Sequence, residues 1–444
     1  MNHAPRIRTV VSRTTLVVAL GAAAAACGGS GHPLSARPYD AAGQLSFTDV
    51  VGDSRKVDPD KPLEVTSKGD DERITDVTAV DASGRYVAGE LAADGSRWHS
   101  TSPLAAGAHY TVHVSTEDED GAPGRQIVDF ETTAPTTNKP LGVTLGPASG
   151  EYGVGQPITA ELSAPVKDKA ARAIVEGALK VDSVPAAEGA WHWVDDKTLH
   201  YRPKEYWPIH ATIQAHSNLK GIKVADRLWG GDAKPLTLTT GDRFVAVTDA
   251  ATHSMTIYKN DQVINQIPVT TGKPGYETRN GVKVVLSKEP YVRMRGTTVG
   301  IAEGSADSYD LPVYWATRVT WSGEYVHAAP WSVGEQGSAN VSHGCTGMST
   351  SNAEWFFKNV RPGDIVKVQN SNGDAMTPFN NGFGDWNVAW KDWRNGSALT
   401  AGTPEGPKLT DRASDQSAQR AVPSGKDLLQ VTAVLQTEVF GPQP

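Results

Sequence analysis

Cysteine is nearly missing from these 444 residues: there are two, Cys27 and Cys345. With Cys27 in a processed N-terminal segment and Cys345 far downstream, no structural disulfide is expected. The globular part then keeps one unpaired thiol, which in an exported chain points to a reactive rather than a structural cysteine. Positive charge is also in deficit, 42 Lys and Arg against 50 Asp and Glu for a net charge of −8. That balance leaves no basic footprint for nucleic acid and fits plain solubility. Long hydrophobic runs are absent beyond one short N-terminal stretch, so no transmembrane helix is expected. No apolar heptads signal assembly, and a monomer is the expectation. With 39% hydrophobic and 21% charged residues and a mean hydropathy of −0.38, the chain reads as soluble domains, two to four by length.

The N-terminus carries Arg6, Arg8 and Arg13, an apolar run from Leu16 to Gly21 and five alanines before Cys27. A basic region, a short apolar region and small residues make an export signal over residues 1–27. Ala24-Ala25-Ala26-Cys27 resembles a bacterial lipobox, with Ala24 where Leu is usual. The resemblance implies a lipid on Cys27 and a protein tethered to the cell membrane, facing the cell wall. Residues 28–45, rich in Gly, Ser, Ala and Pro, read as a linker.

From 46 to 134 short alternating segments broken by turn residues predict an immunoglobulin-like β-sandwich, with Trp98 and Tyr110 in its core. A second runs from 139 to 241. Its hairpin signal is Trp191 to Val194, the turn Asp195-Asp196-Lys197, and Thr198 to Tyr201. Residues 242–370 read as a third, β-rich domain that opens on a meander with a turn at Asn260-Asp261. Ser351-Asn352-Ala353-Glu354 fits a capping box for a helix through Trp355, Phe356 and Val360. Trp386, Trp390 and Trp393 share one face of a short helix in a Trp-rich subdomain, 371–396, where packing is their expected role. The remainder, 397–444, reads as a largely disordered tail. The fold class is therefore mainly β: two tandem sandwiches, a β-rich domain and a short helical C-terminal subdomain.

Chemistry concentrates in Tyr325-Val326-His327-Ala328-Ala329-Pro330-Trp331 and Ser342-His343-Gly344-Cys345-Thr346-Gly347. A histidine ends a strand, and a cysteine is expected to open a helix. A thiol of ordinary pKa, about 8.5, is only a few per cent thiolate near neutrality, so a nucleophilic cysteine needs a base beside it. Histidine takes that proton and returns it to a leaving amine. Gly344 permits a tight turn, and amide groups ahead of a helix are expected to face a developing oxyanion.

The motif is similar to that of the L,D-transpeptidases, whose YkuD-type catalytic domain places a histidine before a Ser/Thr-His-Gly-Cys box. The similarity extends from Thr271-Gly272 and Asn280-Gly281 through Gly384-Asp385-Trp386-Asn387, roughly 244 to 395. The preceding sandwiches resemble those of actinobacterial members. The resemblance implies Cys345 as nucleophile, His327 as its base, and the Ala328 carbonyl orienting the other ring nitrogen. It places Gly344 in the oxyanion region and Tyr309, Trp331, Ser342 and His343 around the substrate. Ala328 stands where Ser is common, and Gly347 where many members carry Asn. The implied reaction takes a peptidoglycan tetrapeptide stem as donor, expels D-Ala, and passes the acyl group to the amine of a second stem, giving a 3→3 cross-link. No cofactor or metal is implied, and carbapenem-type β-lactams are implied inhibitors.

An L,D-carboxypeptidase would use the same site but hand the thioester to water, and a non-catalytic wall-binding protein would keep only the modules. A sortase box and a papain-like order, with Cys before His, do not fit. A metal site from His327, His343 and Cys345 lacks a fourth compact ligand.

Overall fold

The computed structural model describes residues 37–48, 56–69, 72–135 and 139–399. The export signal, Cys27, and the tail from 400 onward lie outside the described residues. The chain divides into two compact units, one holding the first sandwich with Gly221–Lys223, the other the second sandwich and all that follows.

In the first unit, Glu72–Asp81, His109–Asp118 and Pro123–Thr132 pair antiparallel, and Tyr39–Asp40 and Lys56–Val57 add to the last of them in parallel. The facing sheet orders Leu45–Phe47, Glu64–Ser67, Arg97–Ser100 and Gly89–Leu91. Alternation along His109–Asp118 buries Tyr110, Val112 and Val114 between the sheets. There Tyr110 stacks on Phe130 at 5.3 Å and Trp98 closes the other side. The expected linker of 28–45 stops short of this boundary: Tyr39–Asp40 is already a strand, and Ala41 and Leu45 are core residues. Two isolated apolar side chains in a Gly- and Ala-rich stretch carry too weak a pattern to separate strand from tether.

The second sandwich packs a sheet ordered Val143–Gly146, Ile158–Leu162, Thr198–Pro203, Gly189–Trp193 against one ordered Gly150–Tyr152, Leu236–Thr240, Thr212–Ser217, Leu179–Val184. The Asp195 carboxylate accepts from the amides of Lys197 and Thr198 and so closes the hairpin turn. A helix, Lys169–Ala178, is inserted, capped by Asp168.

The β-rich domain contains two sheets. The first uses β1 (Phe244–Asp249), β2 (Ser254–Lys259), β3 (Gln262–Pro268), β4 (Gly281–Val284) and β9 (Ile365–Gln369), in the order β3-β2-β1-β9-β4. Asn260 and Asp261, both at positive φ (49° and 67°), make the β2–β3 turn. The second sheet runs β5 (Ser287–Arg295), β6 (Asp310–Arg318), β7 (Tyr325–Ala328) and β8 (Thr346–Met348), antiparallel until β7 and β8, which are parallel. Helix α1 (Thr350–Asn359) packs Ala353 and Phe356 against Ala246 and Val366 of one sheet and Val326, Ala328 and Met348 of the other. Burying a ring such as Phe356 contributes about 1.5–3 kcal/mol. The helix cap is Ser349, whose hydroxyl accepts from the Asn352 amide, two residues before the expected box. Glu354 instead pairs with Lys358 one turn on.

The tryptophans do not share one helix. Trp386 lies in a 3-10 turn, Asp385–Asn387, and Trp390 and Trp393 in the six-residue α2 (Trp390–Asn395). All three rings converge on the Arg202 guanidinium of the second sandwich, at 4.9, 5.3 and 4.6 Å. Burial pulls Arg202 down to about 10. The chain remains anchored past 396: Ala398 is buried, and its amide donates to Glu176 at 2.7 Å. Residues 397–399 therefore belong to the folded unit rather than to the expected tail.

Candidate active site

Parallel pairing of β7 with β8 sets His327 beside Gly347 and Val326 beside Thr346. His327 and Cys345 thereby line one cavity of about 240 Å³. Its far wall is the β5–β6 hairpin, through Met294, Leu311 and Val313. His343, Ser342, Tyr309 and Trp331 line it as well, so the candidate side chains named from the sequence meet in one place. Trp331, half exposed, tilts toward His327 with ring centres 6.0 Å apart.

The loop before Cys345 is fixed from within. Ser342 Oγ donates to the Cys345 carbonyl at 2.6 Å and accepts from the Gly344 amide at 3.2 Å. Thr278 Oγ1 donates to the Gly344 carbonyl at 2.9 Å, and Ser342 N donates to Thr271 O at 3.0 Å. Gly344 has φ +113°, a region disfavoured for any side chain, which explains glycine immediately before the thiol. Two expectations are corrected here. Cys345 leads into strand β8 rather than opening a helix, because α1 starts only at Thr350. The Gly344 amide is spent on Ser342 Oγ and the Ser342 amide on the Thr271 carbonyl, so an oxyanion contact from either requires the loop to rearrange.

His327 is buried, and its Nδ1 lies 2.8 Å from the Ala328 carbonyl. A carbonyl only accepts, so Nδ1 carries the proton and Nε2 keeps a lone pair. Burial holds the imidazole below its ordinary value, which keeps it neutral and basic at Nε2. Cys345 is half-buried, and burial pushes its thiol up to about 11. The resting thiol is protonated, with Sγ donating to the Gly323 carbonyl at 3.5 Å. Both groups therefore rest neutral, S–H and imidazole, in one cavity, with the S–H directed at Gly323 rather than at His327.

The box histidine, His343, packs between Tyr276 at 4.8 Å and Tyr309 at 5.0 Å, with Nε2 3.6 Å from Asp307. Asp307 pairs with Lys273 at 2.5 Å and accepts from the Tyr276 hydroxyl at 3.2 Å. Lys273, Tyr276, Thr278 and Asp307 escaped sequence reasoning, since their partners lie tens of residues away and no local pattern links them. The same holds for a buried ion pair behind the cysteine, Lys283 with Glu324 at 2.5 Å, joined by Arg279 at 3.1 Å. Among the described residues no group of three His, Cys, Asp or Glu side chains is arranged to hold a metal ion.

Comparison with known proteins identifies the family of the chain. The L,D-transpeptidase catalytic domain family matches residues 243–368, and a bacterial Ig domain family matches 54–223. L,D-transpeptidase 2 of Mycobacterium tuberculosis is 36% identical over 341 residues, 76% of this chain and 81% of its own length. L,D-transpeptidase 5 of the same species is 30% identical over 409 residues, 89% and 87% of the two chains. A solved L,D-transpeptidase of Mycobacterium smegmatis aligns with a TM-score of 0.43 at 35% identity, over 52% of this chain and 100% of its own.

Proposed function

Because the chain belongs to the L,D-transpeptidase family, we propose that it cross-links peptidoglycan stems with Cys345 as nucleophile and His327 as base. The observation that carries this reading is the fixed tautomer of His327, with its lone pair at Nε2 in the cavity that also holds the thiol. As Sγ attacks the carbonyl of the third stem residue, the thiol proton passes to Nε2. The C–N bond to the terminal D-Ala breaks, that proton leaves with the amine, and a thioester remains. An amine from a second stem then attacks the thioester, His327 takes its proton, and the thiol is regenerated with a 3→3 link. Tyr309, Trp331 and His343 form the walls against which the stem lies, and Ser342 holds the loop. A carbapenem-type β-lactam presents a strained amide to the same thiol and acylates it.

The reading includes export, a lipid on Cys27 and a monomer at the outer face of the membrane. The boundaries that go with it are a catalytic domain over 242–370 and sandwiches over 46–134 and 139–241 that carry it toward the wall. Mass spectrometry of a form lacking residues 1–27, incubated with disaccharide-tetrapeptide beside Cys345→Ala, tests the chemistry. Thiol-dependent dimers short of one D-Ala support cross-linking. Tripeptide monomers without dimers make the protein an L,D-carboxypeptidase, and no thiol-dependent product makes it a wall-binding protein.

A further inference from the structure

Lys283 is almost fully buried and Glu324 nearly so, yet neither lines the cavity that holds the candidate catalytic residues. Burying two charges costs several kcal/mol per ion before their attraction offsets it, so a buried pair beside a nucleophile calls for a reason. Glu324 is gripped on both oxygens: Oε2 takes the Lys283 ammonium at 2.5 Å, and Oε1 takes the Arg279 guanidinium at 3.1 Å and the Arg279 amide at 3.2 Å. Its own amide donates to Thr320 Oγ1 at 2.8 Å, and its carbonyl accepts from Val319 N at 3.0 Å. These bonds rigidify the β6–β7 turn, and the residue just before Glu324 is Gly323, whose carbonyl receives the Cys345 S–H.

We propose that Glu324, clamped by Lys283 and Arg279, is a positioning residue that holds the Cys345 S–H against the Gly323 carbonyl in the resting enzyme. The proton leaves for His327 only when a bound stem draws the thiol forward. The inference rests on Cys345 being the nucleophile. Its benefit is chemical: a thiolate is the species that oxidises and reacts indiscriminately, and a protonated, hydrogen-bonded thiol does neither readily. The carboxylate opposes thiolate formation and the ammonium favours it, with the carboxylate the stronger of the two at Cys345. The other titratable groups facing the thiol are Tyr309, Tyr325 and the cavity histidines His327 and His343.

Loss of the ammonium as a charge alone would raise the thiol, whereas loss of the clamp frees the S–H from Gly323, so Lys283→Met separates positioning from charge. The test is the pH profile of iodoacetamide alkylation, read on the Cys345 peptide of the full chain by mass spectrometry, for wild type, Glu324→Gln and Lys283→Met. Both variants should shift the profile to lower pH and react about two- to tenfold faster near pH 8. A shift to higher pH in Lys283→Met, or no shift in either variant, overturns the proposal. Should thermal melts show Glu324→Gln unfolded, Lys283→Met/Glu324→Met replaces it, because an apolar pair of similar volume often preserves stability. That double variant should also alkylate faster than wild type, and an unchanged rate overturns the proposal. Alkylation needs no stem peptide, so a wild-type protein that forms no cross-link defeats the proposed function and leaves this test intact.

Discussion

At the residue scale, the hydrogen bond from His327 goes to the Ala328 main chain, so orienting the ring requires no side-chain hydroxyl at 328: the acceptor is a carbonyl that every residue possesses. Burial of a neutral imidazole also fixes a pH signature. The active form is unprotonated, and its protonation is held below 6.5, so the acid limb of kcat/KM is expected below pH 6.5. His327→Gln should lose about 10²- to 10⁴-fold in kcat/KM and lose that limb, as measured by initial rates across pH. Gly347 shows the opposite dependence on the side chain. A Cβ there would sit 2.9 Å from Ala329 Cβ and 3.1 Å from Thr270 Cγ2, so the segments that follow β7 and β3 leave no room for a larger residue. Gly347→Asn is expected to cost about 1–3 kcal/mol by overpacking, seen as a lower melting temperature, and Ala329→Gly should recover part of it.

At the element scale, α1 joins the two sheets behind the cavity and begins at Thr350, straight after the Ser349 cap that follows β8. Ser349→Ala is expected to destabilise by about 1 kcal/mol and Ser351→Ala by far less, a difference that chemical denaturation resolves. The composition there, Ser-Thr-Ser-Asn-Ala-Glu, made a helix start legible while offering two serines as caps. Choosing between them depends on where strand β8 releases the backbone, which is set by its pairing with β7 and not by the local sequence.

At the scale of the whole molecule, the second sandwich and the catalytic sheets of the same unit meet through backbone. Gly153 N donates to Pro362 O at 2.8 Å and Gly155 N to Gly363 O at 2.9 Å, an approach so close that a Cβ on Gly153 would lie 2.2 Å from Asp364 N. Asp364 is fully buried at this joint, accepts from the Arg361 amide at 2.8 Å, and is pushed by burial up to about 7. A carboxyl whose folded pKa is raised contributes stability that is full below the unfolded value and is lost as pH rises through the folded one. Thermal stability should therefore decline between about pH 4 and 8 by a contribution of a few kcal/mol, and Asp364→Asn should flatten that slope. The tryptophans around Arg202 close the same unit from the C-terminal side. Their spacing suggested a single helical face, yet the convergence comes from a 3-10 turn and a short helix meeting one buried cation.

The amino-acid sequence by itself determined the β-rich class, the hairpins at Asn260-Asp261 and Asp195-Asp196-Lys197, and the pairing of His327 with the box around Cys345. Alternation, turn residues and a compact reactive motif are properties of neighbours in the chain, and neighbours can be read in order. Only the tertiary structure decided that the cysteine enters a strand, that the Ser342 and Gly344 amides are already engaged, and that Lys283, Arg279 and Glu324 gather behind the thiol. Each of these depends on which distant segments share a strand register or a buried space, and an ion pair between residues 283 and 324 leaves no periodic trace in the sequence.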